Sequence, residues 1–147
     1  MSEVEVRTGL RSELERLRAL VFERLRRGEL PYVVYSDYLV QLVELLDDVF
    51  MSLEPTERPL FYRTFEELVS RYFTSNLGIP PPNVKFFEMT PREYVEKVFQ
   101  YTYELLRQKT PAQTEHEVRQ NIELRTSTTL IKPIEQLLKL TAPKEIA

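Results

Sequence analysis

The chain of 147 residues has no cysteine, no tryptophan, one histidine and three glycines. Without cysteine there is neither a disulfide framework nor a thiolate metal site, and the redox compartment is left open. The glycines, Gly9, Gly28 and Gly78, stand apart, which excludes a glycine-rich phosphate loop. No apolar run is long: Asp37, Glu44, Asp47 and Asp48 interrupt the best window, so no membrane span is expected. The opening MSEVEVRTG is acidic and has no apolar run before a cleavage site, so no signal peptide is expected. These absences point to a soluble chain or a subunit of an assembly.

The 16 Phe and Tyr, within a 42% apolar share, suffice for a packed core, and the length suits one domain with room for an appended element. Ten prolines beside three glycines mean many fixed punctuation points and little flexible loop. A charged share of 29% with neither Cys nor Trp leans toward the composition of thermophile chains.

The charge is uneven. Arg7 to Arg27 holds seven arginines (Arg7, Arg11, Arg16, Arg18, Arg24, Arg26 and Arg27), three glutamates and no lysine, a balance of +4. The other 126 residues carry 13 Lys/Arg and 20 Asp/Glu, or −7, which gives −3 overall. Leu10, Leu14, Leu17 and Val21 recur at the i, i+4, i+7, i+11 spacing of one helical face. Gly9 and Gly28 bracket a helix of about 18 residues, about 27 Å long. Arg7, Arg11 and Arg18 fall on one flank of the leucine face, with Arg26 further round. Arg16, Arg24 and Arg27 lie on or near the other. Planar guanidinium groups suit bidentate contact with phosphates, which an ammonium cannot make. The competing reading is a solvated amphipathic helix in which Glu13, Glu15 and Glu23 pair with arginines three or four residues away. A membrane-lying helix is disfavoured, because Phe22 is its one aromatic residue.

Further along, Gly28-Glu29-Leu30-Pro31 reads as a stop and a restart. Leu39, Leu42, Leu46, Val49 and Leu53 define a helix over 36–53, capped by Ser36 or Asp37. Phe61, Phe65, Leu68 and Tyr72 define the next, over 56–75, with Pro59 in its first turn and Asn76-Leu77-Gly78 as its stop. The stretch 76–89 is a loop stiffened by Pro80, Pro81 and Pro82, with Phe86 and Phe87 pinning it to the core. Thr90-Pro91-Arg92-Glu93 spells an N-cap, a first-turn proline and a capping-box glutamate for a helix running to about Gln108. Thr110-Pro111-Ala112-Gln113 repeats the device and is expected to start the last helix. Pro133 predicts a kink or break between 126 and 132, since an interior proline costs about 3 kcal/mol. The fold class expected is all-α: an N-terminal basic helix, then a four- to five-helix bundle, divided as an arm over 1–30 and a bundle over 31–147.

Catalytic constellations are scarce. His116 is flanked by Glu115 and Glu117, but adjacent helical residues diverge and cannot converge on one metal. No nucleophile-elbow motif is present. Asp47-Asp48, Glu44 and Glu66-Glu67 are paired carboxylates without the Glu-x-x-His motifs of di-metal bundles, so solvated faces explain them. No catalytic residue, no metal and no cofactor is expected, and the chain is not expected to be an enzyme. Of the eight tyrosines, Tyr62 and Tyr103 fall off the main apolar faces and suit a subunit interface.

An arginine-bearing N-terminal helix ahead of a compact helical bundle, in a short cysteine-free chain, resembles the major coat proteins of filamentous and rod-shaped archaeal viruses. The resemblance is one of architecture and covers nearly the whole chain; the acidic body and the chain's pI of about 5.4 depart from it. In that family coat-protein dimers wrap linear double-stranded DNA with their N-terminal helices, while the bundles form a shell. The resemblance implies that Arg7, Arg11, Arg16, Arg18, Arg24, Arg26 and Arg27 meet the phosphates of double-stranded DNA without reading bases. It also implies a homo- or hetero-oligomeric helical filament, located in the virion after assembly in the host cytoplasm. The alternative is a small helical protein–protein interaction subunit, an adaptor or the helical subunit of a ribonucleoprotein complex, located in the cytoplasm. One observation separates the two. A DNA-wrapping arm leaves its leucine face unpacked until neighbours cover it, whereas an adaptor closes that face on its own domain or on a protein ligand.

Overall fold

The computed structural model describes residues 3–111 and 113–141, with side chains from residue 9 onward. Among the described residues there are five α-helices and no strand: α1 (Glu3–Arg26), α2 (Pro31–Ser52), α3 (Arg58–Tyr72), α4 (Pro91–Leu106) and α5 (Glu115–Thr141). The all-α expectation holds.

α1 begins at Glu3, so the helix expected to start at Gly9 extends six residues further toward the N-terminus. Gly9 lies inside the helix, where it costs about 1 kcal/mol relative to alanine without ending it. Gly28 does end it. At φ 89° it adopts the left-handed conformation that glycine tolerates, its N–H donates to the Leu25 carbonyl, and Glu29 N–H reaches back to Arg24. α2 starts five residues earlier than Ser36, because Pro31 fits the first turn, where its missing N–H leaves no bond unmade. Ser36 and Asp37 therefore sit inside the helix rather than at its cap.

α2 and α5 make the most extensive contact and form the centre of the bundle. Leu39, Leu42, Val43, Leu46 and Val49 of α2 meet a core shared with Ile122, Leu130, Ile134 and Leu138 of α5, all essentially without exposure. α1 lies along α2, α3 and α4 flank α5, and α4 also reaches α2. Leu10, Leu14 and Leu17 are buried in this same core. The boundary expected near residue 30 falls in the turn after α1, but the apolar face of α1 belongs to the bundle.

α3 is followed by a π-helical turn, Phe73–Leu77, which Gly78 closes at φ 66°. The proline segment then crosses back toward α4. The Tyr101 hydroxyl donates to the Pro80 carbonyl at 2.5 Å and so fixes the segment to α4. Phe86 is buried edge-on against Phe65 and Phe50, with centroids at 5.2 and 5.6 Å. Phe87 stays partly exposed but stacks on Phe50 at 5.5 Å. At α4 the Thr90 Oγ1 accepts the Glu93 N–H at 3.2 Å, as its capping sequence requires.

Two expectations for the last helix are corrected. Thr110 does not cap it; its hydroxyl donates to the Leu106 carbonyl at 2.9 Å and finishes α4. The cap is Thr114, whose Oγ1 accepts the Glu117 N–H at 3.1 Å. Ala112 lies outside the described residues. Of the kink or break expected between 126 and 132, the break is absent: α5 runs as one helix past Pro133. Pro133 is buried with Leu130, Ile134, Leu137 and Leu138. Burying each of these neighbours contributes roughly 1.5–3 kcal/mol, enough together to offset one interior proline.

Because Leu14 is core, Leu14→Ala is expected to cost about 2–5 kcal/mol in urea unfolding monitored by circular dichroism. A change below about 0.5 kcal/mol is the result that a free arm would give.

Candidate functional site

The leucine face of α1 points inward, so its described arginines are distributed around the rest of the helix. The Arg7 side chain lies outside the described residues. Arg11 is half-buried at the margin of the leucine face and is itself engaged. Arg16 makes a two-pronged contact with Glu13, at 3.1 and 2.5 Å, and this guanidinium holds the Glu13 carboxyl below its ordinary range. Glu23 serves both Arg26, at 2.6 Å, and Arg27, at 3.4 Å.

Two arginines reach beyond their own helix. The Arg24 guanidinium donates to Glu29 at 3.0 and 2.8 Å and to Asp37 at 2.9 Å, binding the end of α1 to the turn and to α2. Asp37, read from the sequence as a cap, is thus the α2 partner of Arg24. The hydrogen bonds from Arg24 also hold the Glu29 carboxyl below its ordinary range. Arg18 lies 3.5 Å from Glu135 of α5, and the same carboxylate accepts the Tyr38 hydroxyl of α2 at 2.8 Å. Burial first, and then this bond, drive the Tyr38 phenol far above its usual range. Glu135 therefore joins three helices.

Among the described residues, the arginines from Arg11 to Arg27 do not form one continuous free cationic line. Arg24 is turned inward, with its side chain 21% exposed, whereas that of Arg26 is 74% exposed. Arg16, Arg18 and Arg27 are also largely exposed. Among them stands Phe22, 78% exposed, four residues from Arg18 and four from Arg26. At 100° per residue these three make one outward stripe. Phe22 was legible as an aromatic residue off the leucine face, and its spacing to Arg18 and Arg26 is the signal that marks it.

Glu115, His116 and Glu117 diverge: Glu115 accepts the Tyr103 hydroxyl, His116 Nε2 is 2.6 Å from Gln120 Nε2, and Glu117 accepts the Gln113 N–H. Among the described residues no three His, Cys, Asp or Glu side chains are placed to hold a metal ion. No helix among them is long and apolar enough to cross a membrane. Tyr103, expected at a subunit interface, is buried within the chain, with the Arg119 guanidinium 4.1 Å above its ring. Tyr62 is half-buried among Phe65, Phe86 and Phe87.

The Arg24 cluster carries a pH signature. A carboxyl held low in the folded state stabilises above its unfolded pKa, and that stability is lost as pH falls through the folded value. The stability difference between the wild type and Arg24→Gln is therefore expected to narrow as pH falls through and below the ordinary carboxylate range, read by thermal unfolding across a pH series. A difference independent of pH would show that Arg24 acts by packing alone. Compared with models of protein families, with curated proteins and with solved structures, the chain finds no match.

Proposed function

We propose that this chain is a small helical protein–protein interaction subunit, and that the outer face of α1 is its contact surface. The observation that carries the reading is Phe22, exposed at the middle of a stripe whose other members are Arg18 and Arg26. A large aromatic side chain left in water forgoes roughly 1.5–3 kcal/mol that a fitted pocket would supply. Aromatic and arginine residues are also the types that concentrate binding energy at interfaces. The partner that fits is an acidic protein surface with an apolar pocket. A second copy of the chain qualifies, since outside Arg7–Arg27 it carries −7. The closure of Leu10, Leu14 and Leu17 on their own bundle supports this reading over a detached arm.

A second reading is favoured by the exposure of Arg16, Arg26 and Arg27. Surface ion pairs such as theirs are worth about 0–1 kcal/mol, so they yield readily to a stronger anion. On that reading the chain is a coat protein packaging double-stranded DNA in a filament, through sequence-independent, salt-steep phosphate contacts.

One set of measurements separates the two. A photo-crosslinking residue at Phe22 is expected to couple the full chain to a protein, with the yield falling several-fold when Arg18 and Arg26 become Glu. Linear duplex DNA at physiological salt is expected to bind weakly or not at all. Firm retention on duplex, abolished by Glu at Arg16, Arg26 and Arg27 and untouched by Phe22→Ala, would overturn the first reading in favour of the second.

A further inference from the structure

A groove of about 530 Å³ runs between α3 and the proline segment, and it has no part in the surface of α1. Phe65 and Val69 supply an apolar floor, and the 81–84 segment forms the opposite wall. That wall is stiff, because prolines restrict it and Tyr101 holds it at Pro80. Such a wall keeps the groove open without a ligand.

Tyr94 lines the groove although it is only 1% exposed. Its ring is held by Phe65 and Phe86, with centroids at 6.4 and 6.3 Å. Its hydroxyl has no hydrogen-bond partner among the described residues, yet it is not among the sealed polar atoms, of which Ser127 Oγ alone lacks a partner. The hydroxyl therefore opens to the groove. A buried phenol left unpartnered loses the hydrogen bonds that water gave it in the unfolded chain.

Glu66 lines the same groove, as does Tyr62. Its carboxylate stands near enough to both phenols to oppose their ionisation. Burial first, and then Glu66 and Glu88, push Tyr62 up to about 12; burial first, with Tyr62 and Glu66, raises Tyr94 further. Two protonated phenols and the carboxylates of Glu66 and Glu67 thus line a space with an apolar floor, and of the two carboxylates it is Glu66 that lies near both phenols. Arg63 and Arg71 also border it and offset the two carboxylates, so a cation is held by the local cluster of Glu66 and the phenols and not by the net charge of the lining.

From the convergence of Glu66, Tyr62 and the unpartnered Tyr94 hydroxyl on this groove, we infer that it binds a single ammonium or guanidinium group carried on an aliphatic stem. The cation sits at Glu66 and between the phenol oxygens, which accept from it, and the stem lies on Phe65 and Val69. A free aliphatic amine and the side chain of a lysine or arginine in a polypeptide share this chemistry.

The test uses the full chain, titrated with n-butylamine, with Nα-acetyl-lysine amide and with n-butanol, and followed by amide NMR shifts at Ser70, Asn83 and Val84. Saturable shifts with either cation, and none with butanol, are expected. Binding of the lysine amide alone identifies a polypeptide side chain, whereas binding of butylamine alone identifies a free amine. Glu66→Gln is expected to weaken the affinity about tenfold, as the loss of a charge-assisted hydrogen bond does. Tyr94→Phe, which keeps the ring in its aromatic cluster, is expected to weaken it as well. The inference is overturned if neither cation saturates, if butanol binds as tightly, or if Glu66→Gln leaves the affinity unchanged. Glu66 is exposed, so its variant decides the matter even if Tyr94→Phe disturbs folding.

Discussion

Burial of Leu10, Leu14 and Leu17 against α2 decides which way the other described side chains of α1 point. Three buried leucines contribute roughly 5–9 kcal/mol at the usual area-based values, an upper figure because unfolded chains already hide some surface. A whole domain is stable by about 5–15 kcal/mol. Lifting α1 from the bundle would therefore consume much of the stability of the fold. The ion pairs on its outer side, at about 0–1 kcal/mol each, follow the placement of the helix and do not set it.

With the leucines inside, the arginines divide by reach. Arg24 is turned inward and joins α1 to Asp37 of α2, while Arg18 touches Glu135 of α5 at 3.5 Å and still keeps most of its side chain in solvent. Arg16, Arg26 and Arg27 pair only along their own helix and stay largely in solvent. The excess of positive charge near the N-terminus is thus part structural and part surface. Phe22 sits in the surface part. Water does not reward its exposure, and neighbouring guanidinium groups make its surroundings attractive to acidic surfaces.

Much of the fold was legible because the helices are long and strongly periodic. The inward faces of α2 and α3, the Thr90 cap and the stops at Gly28 and Gly78 all follow from spacing and backbone chemistry. Where the reading went astray, a local rule met a competing local rule or a tertiary term. Pro31 was read as punctuation but serves as a first-turn residue. Thr110 and Thr114 both offer a hydroxyl, and only the structure shows which ends α4 and which begins α5. Pro133 should bend a lone helix, yet burial between α5 and its neighbours holds the helix unbroken. The arginine cluster was plain in the sequence, but its partners Asp37 and Glu135 were not. Contacts between residues 13 or more apart leave no mark in local spacing. The same holds for the groove, since Glu66 and Tyr94 lie on different elements and meet only through the fold.

The bundle thus offers two separate outward features on one rigid frame: the Phe22 stripe of α1, and the groove held open by the proline segment. Both depend on α1 and α3 being fixed parts of a single cooperative unit. Native-state hydrogen exchange tests that most directly. Amides from Leu14 to Arg24 are expected to exchange only through the global opening that also releases α2 and α5. Exchange of those amides orders of magnitude faster than α2, at a free energy near zero, would mean that α1 is a loose arm and would contradict its place in the core.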